Sequence, residues 1–438
     1  MAAVASLTGS LRSLFASPHA VRARMTRNAF WSIVGSASTQ GSSMLAAVVV
    51  ARMLGVTRFG QLALIQATVL LIGTIGEMGF TLTTTKFVSR WRLIDPARTG
   101  QLIGWSLRVT GVAGVVMAVA LGGLERYISI SSLAGLSKEI RAGCVLLVFE
   151  MLNRVQFGAL AGLEEFGSTA RVQLWRGFLM LPCVWLGTWW GGLLGAVIAM
   201  AFVSFATFAG GHWALRSKCR SLSIRLHYGG ALEPEILTTS MSLWITSLLL
   251  TGSGWAVTVL LSRQPSGLAE LGLYNAADKW KTALLFLPQM LFQVTLPMLS
   301  HSHAAGDYRA CRRIVAAAMA STIGVTGAGA IVVFSLSRVL MASYGAGFAD
   351  GASVLSLAAL VAFMSAIWTV GSGALWALGR PTQMLVLDIF KTFILMGLCW
   401  MGYASSAWNL TLACLLTFSI GSAVVMFAVR RELAIHER

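Results

Sequence analysis

The chain has 438 residues, 33 Lys and Arg against 16 Asp and Glu, a formal net charge of +17, and 56% hydrophobic against 11% charged residues. Its mean hydropathy is +0.76, whereas a soluble domain carries about 25% charged residues, so a water-soluble globule is excluded. Apolar runs of about 20 residues recur throughout, each long enough to cross roughly 30 Å of hydrocarbon as a helix. They lack the alternation of a transmembrane β-barrel.

The segment 1–27 carries Arg12, Arg22, Arg24 and Arg27, no acid, and Pro18. Its apolar content is too broken for a cleaved signal peptide, and it reads as a basic cytoplasmic tail resting on headgroups. Twelve spans follow, at 28–50, 61–84, 101–124, 140–162, 168–189, 191–213, 237–261, 273–299, 311–335, 351–376, 383–403 and 408–429. The turn at Trp189, Trp190, Gly191 and Gly192 is a tight re-entry with an aromatic belt. With the N-terminus inside, twenty Lys and Arg fall in inner segments. Seven fall outside: Arg52, Arg58, Arg126, Lys138, Arg141, Arg263 and Arg338. Such a bias places both termini in the cytoplasm, and anionic lipid headgroups, not nucleic acid, account for the basic loops.

The sequence repeats itself. GALAGLEEFGSTARVQLWRG (158–177) aligns without gaps on GALWALGRPTQMLVLDIFKT (373–392) at an offset of 215, which sets Arg176 opposite Lys391. Phe59-Gly60-Gln61-Leu62 resembles Leu271-Gly272-Leu273-Tyr274 at an offset of 212. Two matches at nearly one offset imply two six-helix bundles, 28–215 and 237–430, joined by a basic linker at 216–236, with a short tail at 431–438. Six spans per half relate the bundles by an axis along the membrane normal, with a central cavity between them.

Ionisable residues inside the spans are the main chemical signal, because each costs several kcal/mol in hydrocarbon. The acids are Glu77, Glu150, Asp278 and Asp388; the bases are Arg108, Arg154, Arg176, Lys279, Lys281 and Lys391. Helical spacing pairs Glu150 with Arg154, Asp278 with Lys281 and Asp388 with Lys391, and Glu77 is a partner for Arg108 across helices. Arg176 and Lys279 have no acid at helical spacing and either snorkel to an interface or line a cavity that attracts phosphate. Arg176 and Lys391 are expected to face each other across that cavity. Gly35, Gly41, Gly73, Gly76 and Gly79 permit close helix contact, and Pro182, Pro288 and Pro297 mark kinks. Trp244, Trp255 and Trp368 sit deep enough to stack on a sugar.

His301 and His303 read as loop residues, and Cys144, Cys183, Cys219, Cys311, Cys399 and Cys414 have no metal-ligand spacing. No metal or other cofactor is expected. G-x-x-x-x-G-K-[ST] is missing, and no large outer loop is present to build a membrane polymerase or ligase, so an enzyme is not expected.

The opening RNAFWSIVGSASTQGSSMLAAVVVARMLGVTRFGQLAL (27–64), with its turn ARMLGVTRFG, resembles polysaccharide flippases of the Wzx type in the multidrug/oligosaccharidyl-lipid/polysaccharide exporter (MOP) superfamily. GLYNAADKWKTALLFLPQMLFQVTLPMLS (272–300) and YGAGFADGASVLSLAAL (344–360) follow in the family's order. The resemblance implies an all-α fold of two bundles in a V. It implies transfer of an undecaprenyl-diphosphate-linked oligosaccharide across the bacterial inner membrane, for O-antigen or exopolysaccharide, alongside polymerase and export proteins. Arg52, at the family's turn, then joins Arg108, Arg176, Lys279 and Lys391 as candidate diphosphate contacts. A multidrug or cation antiporter, a peptidoglycan-precursor flippase, a structural assembly partner and, from another class, a membrane-embedded polysaccharide polymerase or ligase are the alternatives.

Overall fold

The computed structural model describes residues 18–124, 135–227, 229 and 233–435. The basic side chains of the N-terminal segment, Arg126, Arg438 and the Pro297 ring lie outside the described residues. Helices α1 (Pro18–Glu77), α2 (Phe80–Trp91), α3 (Pro96–Leu124), α4 (Ser137–Gly162) and α5 (Phe166–Ser221) form the first half. The second half comprises α6 (Pro234–Ser262), α7 (Gly267–Ala304), α8 (Tyr308–Ser335), the short α9 (Ser337–Ala342), α10 (Ala352–Ala377), α11 (Pro381–Trp400) and α12 (Ala407–Ile435).

Nine segments of the described residues are long and apolar enough to cross a membrane. Two of them, of 48 and 56 residues, bend where a glycine takes a left-handed φ, at Gly55 (φ 75°) and Gly192 (φ 56°). A straight 56-residue helix would run about 84 Å, far beyond one bilayer. Past Gly192 the chain returns on itself so closely that a Cβ on Gly187 or Gly195 would strike the other's carbonyl oxygen. Helix α7, which carries Asp278, Lys279 and Lys281, adds a further crossing of 38 residues. All twelve expected spans thus fall on helices, the second of them broken at Met78 and Gly79 between α1 and α2. His301 and His303 lie in the last turn of α7 instead of a loop, and α5 runs on to Ser221, shortening the expected linker.

The repeat is visible in the backbone. At the end of α4, Glu164 turns left-handed (φ 56°), and Glu165 N–H donates to the Leu160 carbonyl at 2.9 Å. At the end of α10, Gly379 turns left-handed (φ 73°), and Arg380 N–H donates to Leu375 at 2.9 Å. Both are left-handed caps that satisfy terminal carbonyls. The next residues form ion pairs of opposite polarity: Glu165 with Lys218 at 2.6 Å, and Arg380 with Glu432 at 3.0 Å. Each pair ties the start of one span to the end of the next. Positions 165 and 380 are 215 apart, and 218 and 432 are 214 apart.

Burial alone would raise the Glu165 carboxyl, but hydrogen bonds from Lys218 and Ser168 and the charges of Lys218 and Arg171 outweigh it and hold the group below its ordinary value. A depressed carboxylate stabilises the fold above its unfolded pKa and loses that contribution as pH falls through its folded pKa. The thermal midpoint of purified protein should therefore drop on acidification below about pH 4.3, and Glu165→Gln should flatten that part of the curve. A drop of equal size in the variant would assign the acid sensitivity elsewhere.

The apolar core explains how the halves meet. At the end opposite the termini one core is shared, joining Val50, Phe59 and Leu64 to Leu261, Leu271, Tyr344 and Leu355. Toward the terminal end it gives way to two further cores. One centres on Phe80, Leu102, Leu160 and Leu215; the other on Leu299, Trp368, Leu375 and Val425. At the shared end the repeated glycines interlock: a Cβ on Gly60 would overlap the Leu268 carbonyl, and one on Gly272 the Val56 carbonyl. Arg52 Nε donates to the Ser343 carbonyl, while Phe59, Tyr344 and Phe348 form a ring cluster with centroids 5.7–6.3 Å apart.

A candidate cargo cavity in the first half

Helix α4 presents Glu150 and Arg154 one turn apart toward α1 and α5. Both residues line a cavity of about 270 Å3 together with Arg176, Ser43, Gln66 and Ser204. Arg176 Nη2 lies 2.7 Å from Glu150 Oε1, and Ser204, from the returning arm of α5, donates to the same carboxylate oxygen. Arg154 Nη1 is 3.5 Å from Glu77 Oε2. The cavity walls are apolar, from Val69, Leu70, Leu146, Leu147, Met180 and Met200, and low polarity strengthens every charge contact inside. Glu150 is thus held by two donors. Arg154 makes a 3.5 Å contact with Glu77 at 36% side-chain exposure and lines the cavity.

These partners correct three expectations. Glu150 pairs with Arg176 on another span, not with Arg154 four residues on. Glu77 takes Arg154 in place of Arg108. Arg176 has a carboxylate partner that helical spacing could not reveal. Asp278 pairs with Lys281 and Asp388 with Lys391 at 3.0 Å, as spacing predicts.

The remaining candidates lie elsewhere. Lys391 stays within the second half, 4.2 Å from the Trp368 ring centroid and 5.3 Å from that of Phe418, and it does not share the cavity of Arg176. The indoles of Trp244 and Trp255 are tied across the halves, to the Thr74 carbonyl at 3.0 Å and the Thr68 hydroxyl at 3.2 Å. Trp368 lies under Lys391, so these three rings are already engaged. Lys279 is half-buried on α7 beside the Asp278–Lys281 pair. Arg52 belongs to the contact at the far end, and Arg108 to a separate groove. Ser43, Gln66 and Ser204 were missed by sequence reasoning; their signal was polarity inside apolar runs. The described residues contain no cluster of three metal-binding side chains, and the six cysteines are free thiols.

A family profile described as polysaccharide biosynthesis protein matches residues 25–303. The chain belongs to that family. No curated protein matches the sequence. Among solved structures, the inward-facing form of a multidrug resistance MATE family transporter of the MOP superfamily superimposes with a TM-score of 0.72 at 13% identity, over 93% of this chain and 99% of that one. The outward-facing conformation of a MATE family transporter gives 0.67 at 12% identity, over 95% and 96%. A MOP superfamily transporter from Pyrococcus furiosus, reported to have a binding pocket of reversed polarity, gives 0.70 at 13% identity, over 95% and 96%. This family member is therefore a multi-pass, all-α membrane protein with the MOP transporter fold, an architecture suited to alternating access.

Proposed function

We propose that the protein carries a lipid-diphosphate-linked oligosaccharide across the bacterial cytoplasmic membrane, with both termini in the cytoplasm. The observation that carries this reading is the family match over residues 25–303, joined to two guanidinium groups lining one apolar cavity. Arginine suits phosphate through its planar fork. A cavity of about 270 Å3 holds a headgroup and no more, so the glycan extends into the space between the halves and the prenyl tail stays in lipid. On this reading the far end, where the shared core joins the halves, faces the periplasm. Membrane lipids, polymerase and export proteins are its partners in this reading.

A second reading has its own support. Glu150 lines the same cavity as Arg154 and Arg176, and Glu77 pairs with Arg154 beside it, so the four charges sum to zero. The solved neighbours named above include multidrug transporters. A cation exporter would protonate or exchange at Glu150. Complementation of a deletion strain decides between them, with lipid-linked glycan scored on each membrane face and efflux of a cationic dye followed in parallel. Glycan accumulating inside without the protein, with unchanged dye efflux, is the expected result. Normal glycan export with dye retention would replace the flippase reading by the exporter.

A further inference from the structure

The cargo cavity has a thin wall on one side. The arm of α1 before Gly55 and the arm of α5 before Gly192 meet there through small residues. A Cβ on Gly177 would press on the hydroxyls of Ser38 and Ser42, and one on Gly35 would strike the Gln173 side chain. Neighbours in sequence lie on opposite sides of this seam: Ser43 and Arg176 line the cavity, whereas Ser42 and Gly177 line a groove of about 720 Å3. One helix contact thus separates a charged interior from an apolar groove.

The groove is open and aromatic. Trp175, Phe178 and Leu45 line it and are each more than half exposed, and the two rings stand edge to face with centroids 6.2 Å apart. Arg171 lies at its terminal end, with a guanidinium that already donates to Ser168 at 3.1 Å. The wall is also built to part. Thr39 donates to the Gly35 carbonyl and Ser42 to the Thr39 carbonyl, both within α1 at 3.1 Å, so these hydroxyls do not tie the two helices together. Pro182 lines the other end of the groove. It has no N–H for the Phe178 carbonyl one turn back, which makes it a bend point in α5.

We infer that this groove seats the first isoprene units of the cargo's lipid tail, and that the seam of Gly177, Ser38 and Ser42 parts to pass the tail while the diphosphate stays in the cavity. The inference rests on the lipid-diphosphate cargo proposed above. Two features choose the occupant. A headgroup held among Glu150, Arg154 and Arg176 needs an apolar exit for its hydrocarbon close by, and the groove lies one helix contact away. A methyl-branched, unsaturated chain also packs its flat segments against exposed aromatic rings, where a saturated acyl chain gains little over the bilayer it leaves. No cation of the groove has to be free for this.

Photocrosslinking of the full-length protein in nanodiscs tests it, with an undecaprenyl diphosphate that carries a diazirine in its first isoprene unit. Adducts should map to Leu45 and to residues 171–182. Leu45→Trp fills the groove from an exposed position outside the cavity lining. It should lower this labelling roughly tenfold, the size expected of contacts with two rings. Trp175→Ala/Phe178→Ala should do the same by removing the rings, so a folding defect in one variant leaves the test intact. Binding of inorganic diphosphate, followed by calorimetry, should be equal in the wild type and both variants. With diphosphate bound, adducts elsewhere, labelling unchanged in both variants, or labelling suppressed by excess phosphatidylglycerol overturns the groove and leaves the proposed cargo standing. Loss of diphosphate binding and labelling alike in the wild type overturns the groove and the cargo together.

Discussion

Valine at Gly60 should leave the protein folded and inserted but cut transport at least tenfold, because the end opposite the termini can no longer close. The helix backbones touch there only because Gly60 and Gly272 carry no side chain, and even a Cβ would overlap the Leu268 carbonyl. Overpacking a tight contact costs about 1–3 kcal/mol, and about 3 kcal/mol changes the ratio of two conformations by roughly a hundredfold. The penalty falls on the closed state alone, since the contact is absent once the ends part. Spin labels at Arg58 and Ala349, exposed on the two sides of this contact, should report longer distances in Gly60→Val at unchanged helical content. Wild-type distances together with full transport would show that this contact does not gate the cycle.

Arg176→Ala and Lys391→Ala should fail in different ways, although the repeat aligns the two residues. Arg176 shares a cavity with Arg154 and holds Glu150, so its loss removes a cargo contact and strands a carboxylate. A charged hydrogen bond is worth about 1.5–3 kcal/mol, which corresponds to a loss of transport of roughly ten- to a hundredfold. Arg176→Lys keeps the charge without the fork and should recover part of it. Lys391 is only 13% exposed and is satisfied by Asp388 and two rings. Its removal should leave transport within about threefold and lower stability by about 3 kcal/mol, the cost of stranding a buried partner. The double variant Glu150→Gln/Arg176→Ala separates the roles: it should regain thermal stability and still not transport. Transport restored by the double variant would reduce the pair to a structural tie.

The helices and the duplication were legible in the sequence because both rest on local pattern. Apolar runs of bilayer length give the spans, and Gly158–Leu163 against Gly373–Leu378 gives the repeat, down to matching left-handed caps. The intramembrane charges were legible as residues but only half so as partners. Pairs within one helix, Asp278–Lys281 and Asp388–Lys391, follow from the 3.6-residue turn. Glu150–Arg176 and Glu77–Arg154 join different helices, 26 and 77 residues apart, and no periodicity encodes which faces meet. For the same reason the expectation of Arg176 facing Lys391 across a central cavity was not met. Equivalent positions in two halves share a place in their own bundle, and that place need not lie on the seam. Arg108 shows the converse: its exposure beside the valine stripe follows only once α3 is known to leave that face uncovered.

The reversed latches make the two halves unequal under stress. Glu165 sits at the start of α5 and Lys218 in its last turn, so each charge complements the helix dipole it meets. Arg380 precedes α11 and Glu432 lies in the last turn of α12, where each opposes it. One geometry is thus held by a bond that the backbone reinforces and by another that the backbone resists. On heating, the second half should fray first, and exchanging the polarity of that single pair should make the protein hardier.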